Sequence, residues 1–143
     1  MTQTRLPDWE EKLSIYISKC EKKKFAWGKF DCVIFSVGAI GAMYGKNFLK
    51  NEKIKYTDKK TGLELIKKQG KGSLWDLIDK HANLNGFSSK NTARTRHGNL
   101  VGTKTKDEEE LLGVMQDDGT MVVAQKEGLV RLPFSYVQKR WNT

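Results

Sequence analysis

Apolar residues recur at helical spacing near the start of the chain. Trp9, Leu13, Tyr16, Ile17 and Cys20 fall three or four positions apart and so line one face of a helix. Asp8, with Glu11 three positions on, has the spacing of a capping box, and Lys22, Lys23 and Lys24 fall in the last turn, where cations suit the helix dipole. On this pattern Cys20 is a small buried hydrophobe. From Cys32 to Tyr44 nearly every position is apolar or small, which predicts a helix buried on most sides. Asp31 stands as its N-cap and Gly45 as its terminator. Gly38 and Gly41 each cost about 1 kcal/mol relative to Ala inside a helix, so another element is expected to approach the backbone there.

Residues 46–60 read as a lysine-rich, mainly polar connector. Thr61 caps a helix through Gln69, with Leu63, Leu65 and Ile66 inward and Gly70 stopping it. Ser73 with Asp76 opens a short helix over Leu74, Trp75, Leu77 and Ile78. His81 then falls at its C-terminal end as a partly exposed, structural imidazole favoured by the dipole. After Asn83 the period changes to short runs with glycine punctuation: Asn99–Thr103, Leu111–Gln116, Thr120–Gln125 and Leu129–Leu132. Asp117-Asp118-Gly119 between two of them is a hairpin turn signal. Pro133 ends the last run, and Phe134, Tyr136, Val137 and Trp141 form an aromatic-rich tail. Helices first and antiparallel strands after predict an α+β fold, as one domain over residues 1–143.

Composition trims the functional classes. With 38% hydrophobic and 30% charged residues the chain is globular rather than disordered. No apolar run approaches the ~20 residues a membrane helix needs, and Met1–Leu13 lacks the basic-then-apolar pattern of a leader. A soluble protein made in a reducing cytoplasm is expected. Two cysteines and two histidines are too few for a disulfide scaffold or a cysteine-based zinc site, so neither metal nor cofactor is expected. Net charge is +9, from 26 Lys+Arg against 17 Asp+Glu. A basic surface attracts phosphate backbones by counterion release. No helix-turn-helix, zinc finger or aromatic-studded RNA-binding strand accompanies it, so nucleic acid stands as an alternative partner.

Cys32 is the candidate nucleophile. A cysteine in the first turn of a buried helix meets free N–H groups and the positive end of the dipole, which favour a thiolate and can hold an oxyanion. Its context is Phe25-Ala26-Trp27-Gly28-Lys29-Phe30-Asp31-Cys32, followed by Ala42-Met43-Tyr44-Gly45, Tyr56-Thr57 with Thr61-Gly62, and His97-Gly98-Asn99-Leu100-Val101. Leu112-Gly113-Val114, Gly128-Leu129 and Trp141 complete the set. Over essentially the whole chain this order resembles the NlpC-type branch of the papain-like cysteine peptidases, which cleave bacterial cell-wall stem peptides. It is more closely similar to an uncharacterised phage and prophage family related to that branch, often encoded among tail genes. The resemblance implies a papain-like (NlpC-type) fold, N-terminal helices packed on a small C-terminal antiparallel sheet. It also implies Cys32 at the nucleophile position and a cleft lined by Trp27, Phe30, Asp31 and Trp141.

The departures bear on activity. The position matching the catalytic histidine is Leu111, the orienting polar residue falls near Val123, and Gly98-Asn99 replaces Gly-Asp. A cysteine peptidase needs a base, and an acid for the leaving amine; leucine is neither, and general acid–base catalysis alone is worth about 10²–10⁴ in rate. The expectation is therefore a phage-encoded, tail- or virion-associated protein whose peptidase-like fold serves as a structural or interaction module. Its expected partners are phage structural proteins, with a cell-wall peptide as a further ligand. Two alternatives stand beside it: an active cysteine hydrolase using His97, or His81, in a rearranged dyad, and a basic nucleic-acid-binding protein.

Overall fold

The computed structural model describes residues 3–143; Met1 and Thr2, the start of the stretch read for a leader, lie outside the described residues. Five helices come first: α1 (Trp9–Cys20), α2 (Cys32–Tyr44), α3 (Phe48–Asn51), α4 (Lys59–Gln69) and α5 (Leu74–Leu84). Five strands follow: β1 (Leu100–Lys104), β2 (Glu110–Met115), β3 (Thr120–Gln125), β4 (Gly128–Pro133) and β5 (Lys139–Trp141). Short 3₁₀ turns span Thr92–Arg94 and Phe134–Tyr136. All strand pairs are antiparallel and the sheet order is β4-β3-β2-β1-β5. The architecture is α+β, a helical N-terminal region packed on an open C-terminal sheet.

The apolar continuity of α2 dictates its place. It packs against α1 and α3 on the helical side and against β1, β2 and β3 on the other. Phe35, Ala39 and Met43 are fully enclosed and share one core with Leu112, Val114, Val122 and Ala124 of the sheet. Strand residues alternate between faces, so Val101, Met115, Met121 and Val123 make a second buried cluster, flanked by Leu111, Leu132 and Val137. The two glycines of α2 sit where neighbours come close. A Cβ on Gly38 would meet the Tyr16 hydroxyl at 2.2 Å, and one on Gly41 would meet the Lys46 carbonyl oxygen at 2.4 Å.

The structure departs from the sequence reading where short elements or single side chains decide. Asp8 makes no side-chain cap, and α1 ends at Cys20, so Lys22, Lys23 and Lys24 lie beyond its last turn. The 46–60 connector contains α3, capped by the Asn47 side chain accepting from the Lys50 N–H at 3.1 Å. What holds this single turn is Phe48, which is buried with its ring 6.1 Å from Tyr44 and 6.0 Å from Phe87. Asp58, not Thr61, is the N-cap of α4; Thr61 is its capping-box partner, and Leu63 points to solvent instead of inward. α5 runs a turn further than expected, which encloses His81: its Nδ1 lies 2.9 Å from Glu52 and its Nε2 3.0 Å from Gln69. The tail supplies β5, whose Trp141 pairs with Leu100 and donates its indole N–H to Asp79 at 2.7 Å.

Gly41→Ala tests the close approach at the end of α2. Helix propensity alone would stabilise it by up to about 1 kcal/mol. The fixed Lys46 carbonyl reverses the sign, and a net loss of about 1–3 kcal/mol in urea unfolding is expected; a stabilised variant would contradict this packing.

Candidate functional site

The site is built around the turn that precedes α2. Ala26 and Phe30 exchange backbone hydrogen bonds, 2.9 Å from the Ala26 N–H and 2.8 Å from the Phe30 N–H, which closes a tight loop over Trp27, Gly28 and Lys29. Gly28 has φ +82, and a Cβ there would lie 2.4 Å from the Thr57 carbonyl carbon, so only glycine lets the α3–α4 connector rest on the loop. Asp31 then caps α2. Its Oδ1 accepts from the Val33 and Ile34 N–H groups at 3.0 and 2.9 Å. Its Oδ2 accepts from the Gly28 N–H at 3.1 Å and from the Tyr56 hydroxyl at 2.6 Å. The carboxylate is 2% exposed and its four donors come from the loop, the helix and the connector.

This cap changes what Cys32 can do. The Val33 and Ile34 N–H groups, two of those free at the head of α2, are taken by Asp31, and its negative charge offsets the dipole at that end. Burial pushes the Cys32 thiol up to about 12; the Leu112 backbone amide opposes the rise, and the Asp31 and Glu109 carboxylates add to it. The thiol is therefore protonated at neutral pH.

Cys32 lines a cleft of about 590 Å³ between the helical region and the sheet, together with Trp27, Asp31, Tyr56 and Leu111. The Trp27 and Tyr56 rings meet edge-on at 6.5 Å. Lys104 pairs with Glu108 at 3.4 Å on the sheet side. Glu110 accepts from the Ser73 hydroxyl at 2.9 Å and the Trp75 N–H at 3.2 Å, tying the cleft wall to the start of α5.

The residues singled out from sequence divide into two groups. Trp27, Asp31 and Cys32 come together on the cleft, and Leu111 faces the same space. Val123 is buried in the second apolar cluster. Phe30 and Trp141 do not line the cleft: Phe30 is buried with its ring 6.0 Å from Phe35, and Trp141 is fully enclosed in β5. His97 is held elsewhere. Its ring lies 4.8 Å from that of Trp9 and its Nδ1 4.0 Å from Glu10. The adjoining Gly98 abuts Met43, at the end of α2 remote from Cys32, and eleven helical steps of ~1.5 Å separate those ends by about 16 Å. A Cys32–His97 dyad is not assembled. His81 is likewise committed to Glu52 and Gln69 and does not line the cleft.

Tyr56 is the site residue to which sequence reasoning assigns no role. Its hydroxyl reaches Asp31 across 25 positions of chain, and no local spacing rule connects the two. Among the described residues no group of three or more His, Cys, Asp or Glu is placed to hold a metal ion. No helix there is long and apolar enough to cross a membrane.

Fold and site together define an α+β domain in which a capped, cysteine-headed helix closes one side of a cleft and an antiparallel sheet closes the other. The chain belongs to the family described as "Domain of unknown function (DUF6950)", which residues 4–143 match. No curated protein matches it.

Two measurements check this site. Iodoacetamide labelling of Cys32, followed by peptide mapping, should keep accelerating above pH 9, whereas an ordinary thiol levels off beyond its pKa of about 8.5. The same shift fixes the sign of a stability effect: a thiol whose pKa is higher folded than unfolded stabilises the fold below pH ~8.5, and the contribution is lost as pH rises toward 12. Asp31→Ala removes the cap and strands the Tyr56 hydroxyl; a loss of at least about 2 kcal/mol in urea unfolding is expected, with Asp31→Asn milder because one oxygen acceptor remains.

Proposed function

We propose that the protein is a non-catalytic member of the papain-like, NlpC-type architecture: an interaction module, phage-encoded and carried in the tail or virion. On this reading its cleft holds a peptide segment and does not cleave it. The observation that carries the proposal is that no imidazole lines the cleft with Cys32. Leu111 lies on that cleft and is the residue that the resemblance matches to the catalytic histidine, Asp31 takes the Val33 and Ile34 N–H groups at the head of α2, and burial raises the Cys32 pKa. Both histidines of the chain are bound into other contacts. Amide hydrolysis needs a proton acceptor at sulfur and a donor for the leaving amine, and no imidazole, which could serve as both, lines the cleft with this thiol.

The association with phage particles rests on the resemblance of the Phe25–Cys32 loop and the strand motifs to the prophage family. The cleft favours an extended peptide: its aromatic end at Trp27 and Tyr56 offers apolar surface, and Lys104, Glu108 and Glu109, around the β1–β2 turn, offer polar anchors.

Incubation with a purified cell-wall stem peptide, read by mass spectrometry, should show no product. Turnover that Cys32→Ser abolishes would overturn the non-catalytic reading. The particle association has its own test, mass spectrometry of gradient-purified virions from a phage encoding this chain. The chain should band with the particles, and its confinement to the lysate supernatant would defeat that half of the proposal.

A further inference from the structure

Away from the cleft, β5 sets Arg140 against the segment that carries Arg94 and Arg96. Arg140 sits in β5 opposite Val101 and is 7% exposed. Its Nε donates to the Asn91 carbonyl at 2.8 Å and its Nη1 to the Asn99 side-chain oxygen at 3.2 Å. The same Asn99 oxygen accepts from the Arg96 N–H at 2.9 Å, and the Asn91 side chain caps the 3₁₀ turn through the Ala93 N–H at 2.9 Å. Arg140 thus clamps the segment at both ends, with Arg94 and Arg96 exposed between the clamps.

We propose that Arg94, Arg96 and Arg140 form an anion site that takes a backbone phosphate of a nucleic acid. Only two of the five guanidinium N–H donors of Arg140 have protein partners. Among the described residues no Asp or Glu carboxylate lies within 4.0 Å of any of the three arginines; the ion pairs formed involve other cations. The main-chain oxygen of Thr143 nearby is engaged by Arg5 and by the Asn99 side-chain nitrogen. Arg140 and the Arg96 backbone share the Asn99 side-chain oxygen, so the two residues adjoin; burial, and after it the charges of Arg96 and Arg94, hold the Arg140 pKa below the usual guanidinium value. Such a cluster is unfavourable until an anion enters it, and planar guanidinium forks match phosphate oxygens.

The wider charge pattern favours a polymer over a lone ion. Residues 87–99 contain no Asp or Glu but carry Lys90, Arg94 and Arg96, in a chain of net charge +9. The positive field therefore extends along this segment beyond one phosphate. The site stands independently of the reading given to the cleft, since none of its three arginines lines that cavity.

Fluorescence anisotropy of a labelled DNA duplex against the full chain, at several salt concentrations, tests it. The Arg94→Gln/Arg96→Gln double variant leaves the Arg140 clamp intact, and an unchanged thermal midpoint confirms its fold. Lys67→Gln/Lys68→Gln on exposed positions of α4 removes the same charge. The arginine variant should bind at least tenfold more weakly and lower the log–log salt slope by about 2, since each duplex phosphate contact contributes about 0.9; the lysine variant should stay within twofold of the parent. Equal losses in both variants would mean diffuse attraction and would defeat the site, as would absent binding at low salt. Arginine-dependent binding of inorganic phosphate with none of DNA would overturn the assignment to a nucleic-acid backbone.

Discussion

The Asp31 carboxylate organises the region around it. A buried negative charge is tolerable only when its oxygens are satisfied, and here four donors converge on it from three segments that are remote in sequence. The glycine loop, the start of α2 and the α3–α4 connector, through Tyr56, are all joined by one side chain. Because α2 contacts both the other helices and the sheet, its starting point sets the register of the whole core. The same bonds occupy two N–H groups at the helix head, and burial, with the Asp31 charge adding to it, raises the pKa of the adjoining Cys32 thiol.

Much of this was legible in the chain because the decisive elements are long or strongly patterned. The α2 helix runs between the residues that its apolar continuity and its Asp31 and Gly45 boundaries indicate. The Asp117-Asp118-Gly119 turn joins β2 and β3, with Gly119 at φ +84. What escaped is short or long-range. The single turn of α3 carries too few residues for a period, and its stability comes from Phe48 packing on two distant rings. The three residues of β5 show no alternation that separates a strand from an aromatic tail. Leu63 has the spacing of an inward residue, yet it lies half exposed where α4 borders the cleft.

The site followed the same division. Trp27, Asp31 and Cys32 lie within six positions of one another, and local geometry brings them to one cleft. Phe30 and Trp141 belong to the same motif but serve the interior, since an aromatic residue looks alike in sequence whether it packs a core or walls a groove. Placing His97 required knowing which end of α2 the entry to β1 meets, and that is a property of the assembled sheet.

The sheet order has a consequence for how the chain is made. β1 has β2 on one side from early on, but its other side stays open until residues 139–141 arrive. During synthesis on the ribosome the sheet stays incomplete while residues 139–141 are inside the exit tunnel. A chain interrupted before residue 139 would present an unsheathed strand to its neighbours. It would also lack the Arg140 that steadies the 91–96 segment. Closure of the sheet thus waits on a segment made after every other strand.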